Sequence, residues 1–192
     1  MKTKRIQWII DPAHSEITFK VKHLMISYVK GEFQEFDAKI ETVGDDFHRA
    51  AIVAKINPAS LYTNNKDRDS HLRSSDFFDI QYYNKITFKG TNFEKLDDDN
   101  YLLRGVLTIK GISKEIILDV DYGGQIQDPL GKEKAGFSFT GKINRKDWDL
   151  NWNTPIGKGG VLVRDEVRIN GELQFFSLGG SKTGKGWSRN GY

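Results

Sequence analysis

The sequence predicts an all-β protein, an extended antiparallel barrel of about eight strands with one short helix near one end. Three observations lead to this prediction. Apolar and polar residues alternate with a period of two along most of the 192 residues. Turn-forming residues separate the alternating segments at regular intervals, as in sandwiches and barrels. Only one short segment has helical character, too little to cover the apolar faces of open sheets.

The alternation defines the predicted strands and their apolar faces. In the first long segment, Ile17, Phe19 and Val21 share one face, while Lys20 and Lys22 lie on the other. The same pattern recurs around residues 86–89, 103–110, 115–122, 137–143 and 167–175. Together these segments predict the following interior residues: Phe19, Val21, Phe88, Leu107, Ile109, Leu118, Val120, Phe137, Phe139, Val167 and Ile169.

Turn residues and one break in phase separate the strands. Asp11-Pro12-Ala13-His14, Asp97–Asn100 and Lys110–Lys114 are typical turn sequences. Phe33 and Phe36 are out of phase for one strand face, so we predict a β-bulge near Glu35 that restores a common orientation.

The segment 64–78 is the one helix candidate. Asn64 or Asn65 is a suitable N-cap, with Asp67 in the first turn. Such a helix places Arg68, His71 and Leu72 side by side.

Closing the sheet on itself turns the apolar faces inward and removes the strand edges. The pattern alone leaves a side-chain-filled barrel and a hollow barrel both open. Trp148 and Trp152, four residues apart, are predicted to share one face of a strand, as wall or as core.

The composition indicates one soluble domain over residues 1–176, followed by a flexible Gly-rich tail over residues 177–192. The net charge of +3 is spread along the chain, so nucleic-acid binding is not indicated. The chain has no cysteine, which excludes disulfides, thiolate catalysis and Cys-ligated zinc.

The expected localisation is cytoplasmic. The apolar run Ile6–Ile10 is shorter than the about 7–15 residues of a signal sequence core. No segment approaches the about 20 apolar residues of a membrane span, so no integral membrane segment is expected. A periplasmic location is expected instead if a signal was removed.

A set of short motifs resembles the YceI-like family of polyisoprenoid-binding, lipocalin-like proteins. The resemblance extends over residues 7–176, and the motif around Arg68–Asp79 is the most diagnostic. The other motifs, in chain order, are Asp11–Ile17, Val21–Leu24, Gly31–Phe33 with Phe36, Ile86–Phe88, Gly105–Gly111, Asn144–Trp148 and Val161–Val167.

The resemblance implies a lipid-binding protein that sequesters or transports a long isoprenoid, such as a polyprenyl chain or a quinone tail, inside the barrel. The expected ligand-binding residues are the interior set given above, joined by Phe33 and Phe36. The expected head-group or lid residues are His14, His23, Arg68, His71, Arg73, Phe77 and Phe78. A second interpretation has Arg68 pairing with Asp69, Asp76 or Asp79 to hold the helix against the barrel.

No catalytic residue, metal site or cofactor is predicted. The histidines do not form a known metal-binding pattern, and Ser70 or Ser74 beside His71 lacks the context of a catalytic triad. Two other functions stay open: an enzyme acting on a small apolar substrate in the same cavity, and a filled-barrel, stress-related interaction module. The oligomeric state, including a homodimer, also stays open.

Overall fold

The computed structural model describes residues 4–44, 46–156 and 160–178. Its α-helix, α1, spans Lys66–Arg73, and short 3-10 helices span Pro12–His14, Pro58–Ser60 and Arg145–Trp148. The strands are β1 Arg5–Ile10, β2 Glu16–His23, β3 Ser27–Phe33, β4 Phe36–Val43, β5 Asp46–Ile56, β6 Leu61–Tyr62, β7 Ile86–Lys95, β8 Asn100–Ile109, β9 Ile112–Gln127, β10 Glu133–Asn144, β11 Pro155–Ile156, β12 Gly160–Val161 and β13 Val163–Ser177.

Eight of these strands close into an antiparallel barrel, which confirms the predicted fold class. The order around the barrel is β1-β4-β5-β7-β8-β9-β10-β13, and β13 returns to β1. This last contact pairs Trp8 with Ser177 and Ile10 with Phe175. Because the sheet has no free edge at this point, its inner face encloses a lumen.

The barrel wall branches at β13, because this strand pairs with two different strands on one side. The C-terminal end of β13 pairs with β1, whereas residues Val163–Glu172 of β13 pair with β2. Strands β3 and β6 extend the sheet beyond β2. The turn between β1 and β2 is fixed by Asp11, whose carboxylate accepts hydrogen bonds from the backbone N of Ala13, from His14 and from Gln174. Burial raises the pKa of this carboxyl, but the bonds from His14 and Gln174 outweigh burial and lower it overall.

The helix begins where the sequence predicts. The side-chain oxygen of Asn65 accepts a hydrogen bond from the backbone N of Arg68 at 3.0 Å, and Asp67 and Asp69 lie in the first turn. The cap satisfies one free N–H at the start of the helix, and the carboxylates oppose the positive end of its dipole.

Two local predictions are wrong. Phe33 and Phe36 do not share a bulged strand, since β3 ends at Phe33 and β4 begins at Phe36. The two residues between them bond instead to the neighbouring turn, where Ser60 Oγ accepts from the backbone N of Glu35 at 2.9 Å. Trp148 and Trp152 do not lie on a strand either: Trp148 ends a 3-10 helix and Trp152 lies in the loop that follows.

Most of the predicted C-terminal tail lies outside the described residues. The described part continues the sheet, because Ser177 pairs with Trp8 and the backbone N of Leu178 donates to the carbonyl of Gln7 at 2.8 Å.

Candidate functional site

The barrel encloses an apolar cavity of about 540 Å³. This volume lies within the range of about 300–1,000 Å³ that is usual for small-molecule sites. The barrel is therefore hollow, which decides between the filled and the hollow barrel that the sequence pattern left open. The apolar residues of the alternating pattern face this lumen.

The predicted interior residues lie on the cavity wall. Phe33 joins them, but Phe36 packs against the core without lining the cavity. Contact between these side chains and a ligand stays a prediction. The interior residues predicted from alternation that line the cavity are Phe19, Val21, Phe88, Leu107, Ile109, Leu118, Val120, Phe137, Phe139, Val167 and Ile169.

Phenylalanine rings lie against inward-facing glycines on neighbouring strands. Phe139 pairs with Gly171, and a Cβ atom added to that glycine would lie 2.8 Å from Cδ1 of the ring. Phe19 covers Gly31 in the same way, with its Cε1 2.8 Å from an added Cβ. Because glycine has no side chain, each ring can lie flat against the wall, and the lumen keeps its width.

Aromatic side chains close one end of the lumen, which we call the aromatic end. Trp8 packs on Phe47 at 5.1 Å between ring centroids, and Phe47 packs on Phe137 at 5.0 Å. Tyr101 and Tyr122 extend this cluster, and burial raises the pKa of both, so they remain neutral at physiological pH.

The opposite end, which we call the helix end, is formed by α1 and the loop after β10. Here His71 packs edge-on against Trp152, with ring centroids 4.6 Å apart, and Phe77 contacts both rings. Phe78 packs on Phe33 across the cavity wall at 6.0 Å. The polar groups of the lining are concentrated at this end: His23, Asp67, Arg68, His71 and Arg145.

Arg68 and His71 are each held by neighbouring residues. Nε of Arg68 donates to Thr63 Oγ1 at 2.7 Å, and Nη2 donates to the Thr63 carbonyl at 2.6 Å. The predicted partners of Arg68 were aspartates, but Asp69 is buried and accepts hydrogen bonds from Thr63 instead. Nε2 of His71 lies 2.9 Å from Oδ2 of Asp76.

Two of the predicted head-group or lid residues lie away from the cavity lining. His14 is bonded to Asp11 at the β1–β2 turn, where its side chain is exposed. Arg73 donates to the carbonyls of Ala59 and Leu61, which fastens the end of α1 to the preceding turn. His23, Arg68, His71, Phe77 and Phe78 line the cavity at the helix end.

Arg145 is a lining residue that the sequence analysis did not single out. Its guanidinium is buried, at 3% residue exposure, and donates to the carbonyls of Arg164, Leu150 and Trp152. Burial lowers the pKa of the Arg145 guanidinium, and the carboxylate of Asp165, 3.5 Å away, offsets only part of this shift. The one available signal was its place in the Asn144–Trp148 motif.

Within the described ranges, no group of three or more His, Asp or Glu side chains is placed to hold a metal ion. Among the same residues, no helix has the length and hydropathy of a membrane span.

Comparison with known proteins identifies relatives over most of the chain. UPF0312 protein SA2479 of Staphylococcus aureus (strain N315) is 39% identical over 166 residues, covering 86% of this chain and 94% of the relative. A Campylobacter jejuni YCEI protein is 37% identical, with a TM-score of 0.70 over 81% of this chain and 88% of that one.

A polyisoprenoid binding domain from Saccharophagus degradans shares the fold at 14% identity, with a TM-score of 0.65 over 88% of this chain and 98% of that domain. The YceI-like domain matches residues 8–175, nearly the whole of the described barrel. The chain therefore belongs to the YceI-like family.

Proposed function

We propose that the barrel binds the apolar chain of an isoprenoid lipid, such as a polyprenyl phosphate or a quinone, and sequesters or carries it. The observation that carries this proposal is the apolar cavity in the barrel, closed by aromatic rings at one end and polar at the other. Removing the chain from water is favourable by about 25 cal/mol per Å² of apolar area, before the costs of binding are subtracted. The shared fold of the polyisoprenoid binding domain supports the same ligand class.

The polar groups determine the proposed orientation of the ligand. The chain would extend toward the aromatic end, because an uncompensated polar head group is strongly disfavoured there. The head group would lie at the helix end, beside Arg68 and His71. Among the described residues, Nη1 of Arg68 has no hydrogen-bond partner and is free to donate to a phosphate or quinone oxygen. Nδ1 of His71 has no partner there either, and with Nε2 donating to Asp76 it would accept a hydrogen bond from a hydroxyl of the head group.

Native mass spectrometry of freshly purified protein, followed by organic extraction, tests the ligand class directly. We expect an adduct whose extracted lipid contains repeated isoprene units. In titrations with prenyl alcohols of increasing length, affinity should rise with each added unit until the cavity is full, and then level off. Absence of any adduct together with affinity that is independent of chain length would contradict the proposal. Conversion of an added lipid into a different compound would favour the alternative that the protein is an enzyme.

Replacing Arg68 with glutamine should weaken binding of a polyprenyl phosphate by about tenfold, the size expected for one lost charge-assisted hydrogen bond. Binding of the polyprenol of equal length should change little, because its uncharged hydroxyl gains less from the guanidinium. Isothermal titration with both lipids measures the difference, and a thermal melt without lipid monitors any loss of the Thr63 contacts. An equal loss of affinity for both lipids would show that Arg68 acts on the fold and not on the head group.

A further inference from the structure

The turn between β2 and β3 exposes a group of apolar residues. Ile26 is 83% exposed, and Leu24 and Met25 are 38% and 39% exposed. Leu24 and Met25 have φ of 51° and 64°, as in a type I′ turn, where asparagine and glycine are preferred. The positive φ is unfavourable for such side chains, and neither of the two is fully buried. The folded barrel alone therefore does not explain these residues.

This turn lies on the rim of the cavity. His23, at its base, lines the cavity at the helix end. The backbone N of Leu24 donates to the carbonyl of Leu162 at 2.9 Å, and Leu162 also lines the cavity. Leu162 in turn bonds to Thr154, close to Trp152 at the helix end. The exposed apolar residues thus lie beside the helix end, where a lipid would enter under the proposed function.

The outer face next to this turn carries a row of positive charges. Directly opposite partners on β10, β13, β2 and β3 are, in order, Lys142, Arg168, Lys20 and Lys30, which we call the cationic row. Like charges directly opposite each other destabilise a sheet. Tyr28 and Glu166 offset part of this cost: Lys20 and Arg168 lie 5.6 Å and 5.8 Å from the Tyr28 ring centroid, and Arg168 lies 3.5 Å from Glu166.

The cationic row is close enough to the turn to act with it. Lys20 and Lys30 form the fourth residue pair before the turn, about 13 Å from Leu24 along the strand. The Debye length is about 8 Å at physiological ionic strength and about 30 Å at 0.01 M. The row therefore attracts an anionic surface that touches the turn, and it does so most strongly at low salt.

We propose that the Leu24–Ile26 turn and the cationic row dock the barrel on an anionic lipid bilayer, with the helix end toward the membrane. Apolar side chains enter the boundary between head groups and acyl chains, while adjacent lysines and arginines bind acidic head groups. Docking in this orientation gives an isoprenoid a route from bilayer to lumen with little exposure to water. That purpose rests on the proposed function, but the docking itself is measurable without any isoprenoid.

The opposite end of the barrel supplies a matched control. The turn between β9 and β10 exposes Leu130 at 87%, and Ile126 near the end of β9 is 68% exposed, values comparable to Ile26. It lies at the aromatic end, where Asp128 forms an ion pair with Lys134 at 3.9 Å, so its charges are balanced. If exposure of one apolar side chain were enough for membrane binding, both turns would bind alike.

The test is flotation of the full chain with vesicles of phosphatidylglycerol and phosphatidylcholine in equal amounts. Ile26→Ser should weaken vesicle binding by about tenfold, because one inserted side chain returns to water. Leu130→Ser should leave vesicle binding unchanged. Lys20→Gln and Lys30→Gln should each weaken it by about fivefold at low salt. Pure phosphatidylcholine vesicles should bind the unaltered chain much more weakly.

Three results would overturn the docking proposal. The first is equal vesicle binding by the Ile26→Ser and Leu130→Ser variants. The second is binding that does not depend on phosphatidylglycerol. The third is a change of oligomeric state in Ile26→Ser on size-exclusion chromatography, which would assign the turn to a protein contact. Prenyl alcohol titration of the same variant separates this proposal from the previous one, since Ile26 lies outside the cavity lining and lumen binding should persist.

Discussion

Replacing Arg145 with methionine is expected to lower the free energy of unfolding by about 3–5 kcal/mol. Methionine fills a similar volume but donates no hydrogen bond. The carbonyls of Arg164, Leu150 and Trp152 would each lose a hydrogen-bond donor. Because Arg145 is buried, water cannot readily replace the lost donors. The loop that carries Trp152 against His71 and Phe77 would lose its two hydrogen bonds from Arg145, so the helix end should loosen first.

Urea unfolding at neutral pH, followed by circular dichroism, measures this loss. Arg145→Lys should give an intermediate value, because one ammonium cannot satisfy the planar set of carbonyls that a guanidinium reaches. Arg5→Met is the control: its side chain is 77% exposed and pairs with Glu41 at the surface, so a change within about 0.5 kcal/mol is expected. A loss for Arg145→Met as small as that of the control would show that the loop is held by other contacts.

The alternation of the sequence was sufficient to predict the barrel and the residues on its inner wall. Side chains on a strand point alternately to opposite faces, so Leu107 and Leu118 had to lie inside once Thr108 and Asp119 were placed outside. The helix was predictable for a similarly local reason. Asn65 accepts a hydrogen bond from a free backbone N–H of the first turn, and the carboxylate of Asp67 lies near the positive end of the helix dipole. Both features depend on information contained in short stretches of chain.

Several features that the sequence did not predict depend on partners that carry no charge or that belong to the backbone. Arg68 bonds to the hydroxyl and carbonyl of Thr63, although the nearby aspartates were the more obvious partners by charge. The donors of Arg145 reach main-chain carbonyls, which have no residue signature. Whether the barrel is hollow was also beyond alternation, because an inward phenylalanine can either fill the lumen or lie flat on a glycine of the next strand.

A substitution at Gly171, the glycine that lies beneath the Phe139 ring, is expected to narrow the lumen. Gly171→Ala places a Cβ where it would lie 2.8 Å from Cδ1 of the Phe139 ring, closer than real contacts allow. The ring must therefore move off the wall, and the open space available to it is the cavity. We expect affinity for long prenyl alcohols to fall by about tenfold or more, and the free energy of unfolding to fall by about 1–3 kcal/mol.

Two further variants separate narrowing of the lumen from a general effect of alanine in a strand. Gly136→Ala, on β10 beside Phe137, adds a Cβ that meets no described atom within 4 Å, so neither affinity nor stability should change appreciably.

Combining Gly171→Ala with Phe139→Leu removes the ring that clashes and should restore long-chain affinity, which a double-mutant cycle with prenyl alcohols would measure as a coupling energy. Because a displaced ring obstructs a chain that extends past it more than one that stops short, the loss should be larger for long chains than for short ones. A loss of stability with equal affinity at every chain length would mean that Phe139 does not border the path of the chain.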